Sequence, residues 1–436
     1  MTHRPACLAL LLIWITNAGP VASAQTDGAR YIHQWNRTIT ETMIEDGFPP
    51  PTASRNFAYA HIAAYEALRH GDARFQSLDG QLTGLRNVPL PEKGLEYNWL
   101  VAGIAAYKTA TDKLLFRIYI TDSLYQLQMA ELARTVTPEV LDRSRAFGEK
   151  VGAHIWAWAK EDGYIALLSR DKYDWPRGTG VWEPTPPDFL EPALPFWNTI
   201  RPMTLRSPNQ FQPDGPVPYS DEKGSDFYKQ AMEIYTITTN LTPEQTLIAR
   251  YWDDSPVKSN HYGHLMYMSR QISPPGHWMS IAQGVATSRN AGMMESLEAY
   301  VLTSVALLDG VISCWDEKYR SNVVRPITYI HRHIDSTWAP LIQTPPFPEH
   351  TSGHSTFSAA AATVLTRIYG DIAFTDSTEV EFGLPARTFP NFMAAAQEAG
   401  ISRMYGGIHY RRGNEAGNRN GQRVGQHVYE NLKLRK

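Results

Sequence analysis

The sequence predicts an all-α, bundle-like protein with long proline-rich loops, and three observations carry that prediction. Apolar residues recur at helical spacing through most of the chain. Alternating strand patterns are scarce, and no Asn-Gly turn sits between two of them. The chain has 436 residues, 43% hydrophobic and 19% charged, enough to bury one large core or two smaller ones. With 12 Trp, 22 Tyr and 15 Phe, it is not the composition of a disordered chain.

The elements follow in order. Residues 1–24 read as a signal peptide: Arg4, a short apolar run from Cys7 to Trp14, then Ala22-Ser23-Ala24 before Gln25. That run is too short for a membrane anchor, so the expected mature protein is exported, periplasmic or extracellular, with Cys314 as its one cysteine. Residues 25–436 are expected to form one helical domain. Thr52 to Arg69 carries Phe57, Ile62, Ala63 and Leu68 at helical spacing behind a candidate cap. Residues 98–162 read as a series of helices broken near Thr137-Pro138. Between Pro176 and Pro218 lie 11 of the 30 prolines, together with Trp182 and Trp197 and next to Trp175. Proline cannot fill a helix interior, and linkers are rarely this aromatic. The 175–220 stretch is therefore expected to be an ordered loop packed over the helical body. Gly292 to Tyr319 and Ser355 to Tyr369 read as long helices, within an active-site half spanning 292–432. No segment after the leader is expected to span a membrane. A net charge of −3, about −4 once Arg4 is removed, shows no basic excess for nucleic acid.

Three segments of the last third carry chemistry. They are Trp315 to Pro326, with Lys318 and Arg325; Phe347 to His354, with Ser352-Gly353-His354; and Ser402 to His409, with Arg403. If they converge, Lys318, Arg325 and Arg403 would balance an oxyanion of two or three charges. Ser352-Gly353-His354 opens a helix whose free N–H groups and dipole favour the same anion. His354 and His409 add a nucleophile or ligand and an acid–base group. Alone, each piece reads as a cap, a surface charge or a turn.

Together, the order K-x6-RP, SGH and SR-x5-H resembles the superfamily of vanadium-dependent haloperoxidases and type-2 phosphatidic acid phosphatases. Tyr251 to Pro256, Ser273 to Trp278 and Trp182 to Pro187 resemble further segments of bacterial haloperoxidase-like proteins. The resemblance implies the helical-bundle architecture of the haloperoxidase/acid phosphatase type. It implies that His409 ligates vanadium or takes phosphate, that Lys318, Arg325 and Arg403 hold the equatorial oxygens, and that Ser352 and the Gly353 N–H add hydrogen bonds. His354 would be the acid–base residue. Trp315 and Phe347 stand where fungal chloroperoxidase-type members carry Trp and Phe, and Asp254 is the candidate brace for Arg403. Thr351 replaces the usual Pro before Ser-Gly-His. Gly413 stands where many members carry Asp four residues after the last His, leaving Glu415, a backbone carbonyl or water as partners for His409.

The expected function is a vanadate-dependent haloperoxidase that oxidises halide with hydrogen peroxide to hypohalous acid. The alternatives are an exported acid phosphatase working through a phospho-His409 without vanadate, and a non-catalytic oxyanion binder. Pairings such as His331 with His333, or His350 with His354, lack a carboxylate at a recognisable ligand spacing for a divalent metal. His350 is a candidate for tuning halide choice.

Overall fold

The computed structural model describes residues 20–436, with side chains from residue 28 onward. The predicted signal peptide, 1–24, and its cleavage site lie outside the described side chains.

The first half is a helical layer of α1 (Pro20–Asp46), α2 (Pro50–Leu68), α3 (Trp99–Leu114), α4 (Ile118–Leu132) and α5 (Pro138–Ala159). The predicted break falls where α5 starts: Thr137 caps it by accepting the Val140 N–H, and Pro138 occupies the first turn, where its missing N–H costs nothing. After the short α6 (Tyr164–Leu168) come α7 (Asp226–Thr239) and α8 (Pro243–Tyr251), the latter opened by a Thr242/Gln245 capping box. Strands β1 (Val257–Tyr262) and β2 (Leu265–Arg270) pair antiparallel, Val257 opposite Arg270. The second half holds α9 (Pro274–Ser288), α10 (Met293–Ser321), α11 (Pro326–His333) and α12 (Gly353–Tyr369). A minor β3 (Phe374–Asp376)/β4 (Arg387–Phe389) pair follows, then α13 (Phe392–Tyr405) and α14 (Arg411–Asn431).

Helix α10 is the axis of the molecule, packing on α2 of the first half and on α12 of the second. By length and composition it could cross a membrane, against the expectation that no segment would, but its apolar window is entirely buried. It is a core helix, apolar all round because both halves close on it. Each half also brings two helices together through glycines. A Cβ at Gly148 of α5 would stand 2.0 Å from the Ala102 carbonyl of α3, and one at Gly421 of α14 would stand 2.1 Å from the Thr356 carbonyl of α12. Glycine is what permits these close approaches.

The 176–218 stretch holds only one short 3-10 turn, Trp197–Thr199. Asp309 of α10 ties its end down, accepting from the N–H groups of Met203, Thr204 and Leu205 and from the Thr204 hydroxyl. The Ala193 carbonyl accepts from Trp315 Nε1 and from the Tyr319 hydroxyl. Trp182 and Trp197 are buried. The β1–β2 hairpin was not read from the sequence. Its turn is Gly263-His264 rather than Asn-Gly, with Gly263 at φ +60°, and its strands expose both faces, so no alternation marks them.

Candidate functional site

Five helix ends meet at one cavity of about 230 Å³. The last turn of α10 brings Lys318, and Arg325 is the residue capping α11. Ser352 caps α12 by accepting the Ser355 N–H, so Gly353 and His354 form its first turn. Arg403 lies in the last turn of α13, and His409 in the tight turn before α14. The three sequence segments thus converge. Gly353, His354, Arg403 and His409 line the cavity with Trp315, Phe347 and Asp254. Lys318, Arg325 and Ser352 stand behind that wall. Pro186, Asp188, Leu190 and Ala193 of the proline-rich loop, and Val257, Ser259 and Met268 of the hairpin, complete it.

Lys318, Arg325 and Arg403 are all buried, yet among the described residues none hydrogen-bonds a carboxylate. Lys318 Nζ donates to the carbonyls of Pro348 (2.9 Å) and Glu349 (3.1 Å). Arg325 donates to the carbonyls of Phe347 and Ile408, at 2.8 and 2.7 Å. Arg403 donates to the Trp252 carbonyl. Arg325 Nη2, Arg403 Nε and His354 Nε2 are buried without a hydrogen-bond partner among the described residues. Burial, helped by Arg325, pulls the Lys318 ammonium down to about 7. Both guanidiniums are lowered by burial to about 10 and stay charged. Such a set of cations and orphaned donors is complementary to a multiply charged oxyanion.

His409 accepts from Arg325 Nη1 at Nε2 (3.1 Å), and its Nδ1–H lies 2.8 Å from Glu349 Oε1. Burial and the cations Arg325, Lys318 and Arg403 hold the ring well below its usual range, so it is neutral. The Nδ1 partner fixes the tautomer and keeps Nε2 unprotonated; its lone pair accepts from Arg325 here and is the one a ligand would take. Here the sequence expectation needs correcting. Glu415 is exposed and faces Arg419, whereas Glu349 supplies the carboxylate and also accepts the Tyr410 N–H. A Cβ on Gly413 would sit 2.3 Å from Glu349 Oε1. The missing side chain at 413 is the room that the carboxylate fills, and that glycine was the available signal.

Asp254 needs a similar correction. It faces the cavity, but no hydrogen bond joins it to Arg403, which it reaches only through charge. Its Oδ1 is 2.9 Å from His277 Nδ1, and its Oδ2 is 3.7 Å from His354 Nε2. Burial, with Arg403, His277 and Lys318, keeps His354 well below its usual range and neutral. His350 lies off the cavity, bonded to the Asp214 carbonyl. That removes it from contact with a halide there. Trp315 and Phe347 pack ring to ring at 5.1 Å, with Lys318 Nζ 4.9 Å from the Phe347 ring centre.

Residues 298–435 match the family described as the VCPO second helical-bundle domain. The chain is 24% identical to the vanadium chloroperoxidase of Curvularia inaequalis over 416 residues. That match takes in 78% of this chain but only 65% of the fungal enzyme. Among solved structures, it is similar to the first bacterial vanadium-dependent iodoperoxidase. The two share 41% identity and a TM-score of 0.87, over 94% of this chain and 97% of that one. A holo-type bacterial vanadium-dependent chloroperoxidase shares the fold, with a TM-score of 0.65 at 18% identity, covering 88% of this chain and 93% of that one.

Proposed function

Because this chain belongs to the family of vanadium-dependent haloperoxidases, we propose that it oxidises halide with hydrogen peroxide to hypohalous acid, with vanadate as its cofactor. One observation carries this reading: three buried cations, none hydrogen-bonded to a carboxylate among the described residues, act by charge on His409, with Arg325 against its unprotonated Nε2. The orphaned donors on Arg325 and Arg403 fit the oxygens of a tetrahedral oxyanion. Vanadate bound there would supply a Lewis acid. Arg325 and Arg403 would orient its oxygens through charge-assisted hydrogen bonds, joined by Ser352 and the Gly353 N–H at the positive end of α12. Lys318, with two of its three N–H bonds fixed on carbonyls, would direct the third at a peroxide oxygen. Neutral His354 would take the proton that peroxide gives up on binding. The apolar wall of Trp315, Phe347 and Leu190 would exclude water from the site.

Iodide is the first halide to test, because the 41%-identical relative is an iodoperoxidase. The leader pattern of residues 1–24 supports export, and protein recovered from the periplasm or medium is expected to begin at Gln25.

The deciding experiment assays the mature protein two ways. One portion receives orthovanadate, peroxide and iodide or bromide with a halogen-trapping dye. The other receives a phosphate monoester, with and without vanadate. Vanadate-dependent halogenation is expected. Vanadate-inhibited phosphate release without halogenation at any halide would overturn the proposal in favour of a phosphatase. Vanadate binding with neither activity would overturn it in favour of an oxyanion binder.

A further inference from the structure

Behind His354 lies a second buried cluster of charged groups. His277 of α9 is fully buried and stacks on Trp252 at 4.5 Å between ring centres. Both its nitrogens face carboxylates: Nδ1 lies 2.9 Å from Asp254 Oδ1, and Nε2 lies 2.7 Å from Asp376 Oδ2. An imidazole can donate at both nitrogens only as the imidazolium. Burial opposes that charge, but Asp254 and Asp376 overcome it and raise the ring well above its usual range. Glu379 Oε1 is a further 3.8 Å from Nδ1. Burial, with Asp254 close by, pushes that carboxyl up to about 8, which favours its protonated form at pH 7. Asp254, His277 and Glu379 could be read as a divalent metal site. However, a metal ligand must offer a lone pair, and both ring nitrogens of His277 are committed to carboxylates.

Asp254 itself is held in the left-handed region at φ +44°, which a non-glycine residue occupies only when its surroundings fix it. Its Oδ2 is buried without a partner, 3.7 Å from the equally unpartnered His354 Nε2. A small rotation would close that gap to a hydrogen bond.

We propose that His277 is a positioning residue for His354. Clamped through both ring nitrogens between Asp254 and Asp376, it locks Asp254 with its second oxygen turned to His354 Nε2, where that carboxylate steadies the proton His354 carries during turnover. The proton moves from hydrogen peroxide to His354 and is returned to the peroxide oxygen that leaves as water when the other oxygen is transferred to halide. Asp254 accepts a hydrogen bond and is not itself protonated.

This rests on the haloperoxidase reading but can fail separately from it. The test compares the wild type with His277→Gln, Asp254→Asn and the double variant, and reads three things. In protein labelled with 15N-histidine at pH 7.5, the His277 signals, assigned by their loss in His277→Gln, are expected to show both nitrogens protonated. The kcat for halogenation should fall roughly 10- to 100-fold in each single variant, and no further in the double one. Vanadate affinity of the vanadate-free protein, measured by calorimetry, should stay within about threefold in His277→Gln, because His277 does not line the cavity, and should not fall in Asp254→Asn, which removes a negative charge facing it. Glu379→Gln, which replaces a neutral carboxyl by a neutral amide, should leave kcat unchanged and guards against a folding artefact. A neutral His277, additive losses in the double variant, or vanadate affinity falling in step with kcat would each overturn the proposal. A wild-type protein without halogenation would sink the haloperoxidase reading while the nitrogen spectrum still decided the clamp.

Discussion

Arg55 in the first half and Arg403 in the second are each 2% exposed, yet the chain treats them in opposite ways. Arg55 Nε lies 2.6 Å from Asp162 Oδ2, its Nη2 donates to the Ala159 carbonyl, and its guanidinium lies over the rings of Tyr59 and Tyr164. Its charge is met in full by a buried partner. Arg403 is left with one carbonyl acceptor and a buried, orphaned Nε, close to Lys318 and Arg325. A buried cation with its own carboxylate holds a fold together. A buried cation without one holds a place for a ligand, and the fold bears the desolvation cost until the ligand arrives.

That contrast can be broken by substitution. Arg55→Met should destabilise the protein by about 3–5 kcal/mol, because it strands the Asp162 carboxylate in the core, while leaving vanadate affinity unchanged. Denaturant unfolding and calorimetry read the two effects. Arg403→Met should do the reverse. The ligand-free protein should be as stable as wild type or more so, because a buried charge leaves the interior without breaking a hydrogen bond to a carboxylate. Vanadate affinity should fall roughly 100-fold, the loss of one or two charge-assisted hydrogen bonds. Equal loss of stability in both variants would mean that Arg403 is a structural ion-pair member after all.

Two smaller effects sharpen the comparison. Gly413→Ala should press on Glu349, turn it from His409 Nδ1 and weaken vanadate binding about tenfold. The same change at Gly421, a close helix approach remote from His409, should lower the melting temperature and spare affinity. The last effect is pH dependence. Lys318, lowered to about 7, loses its positive charge as pH rises through that value, and Glu349, raised to about 7 by burial, gains a negative one. Both changes disfavour an anion. Binding of molybdate, whose own charge is constant between pH 7 and 9, should weaken by up to about tenfold per group per pH unit above 7. Lys318→Met should bind more weakly at pH 6 and show a shallower slope. An affinity that rose with pH would mean that neither group titrates near 7.

The helices and the cations were legible in the sequence, because helical period and a collinear motif are local properties. Helix α10 shows how far such reading reaches: its apolar pattern gave the helix, but only its burial between two layers explains why span-length hydrophobicity does not call for a membrane. The carboxylates were not legible, because their partners lie far off in the chain. Glu349 meets His409 sixty residues away, and Asp376 meets His277 ninety-nine residues away. His277 stood in a segment already singled out, but nothing local says that two acids will close on it. Asp254 was placed in the right pocket and given the wrong neighbour for the same reason.

The Glu349–Gly413 arrangement has a consequence for how such sites diverge. Placing Asp at 413 by one substitution would force two carboxylates into a space that already rejects a methyl group. Removing Glu349 first would leave His409 without its anchor. Each single step is an obstacle and only the exchange of both is passable, so the two positions are expected to be reciprocally epistatic in this chain. The double change Glu349→Gly with Gly413→Asp should recover vanadate binding that either change alone loses.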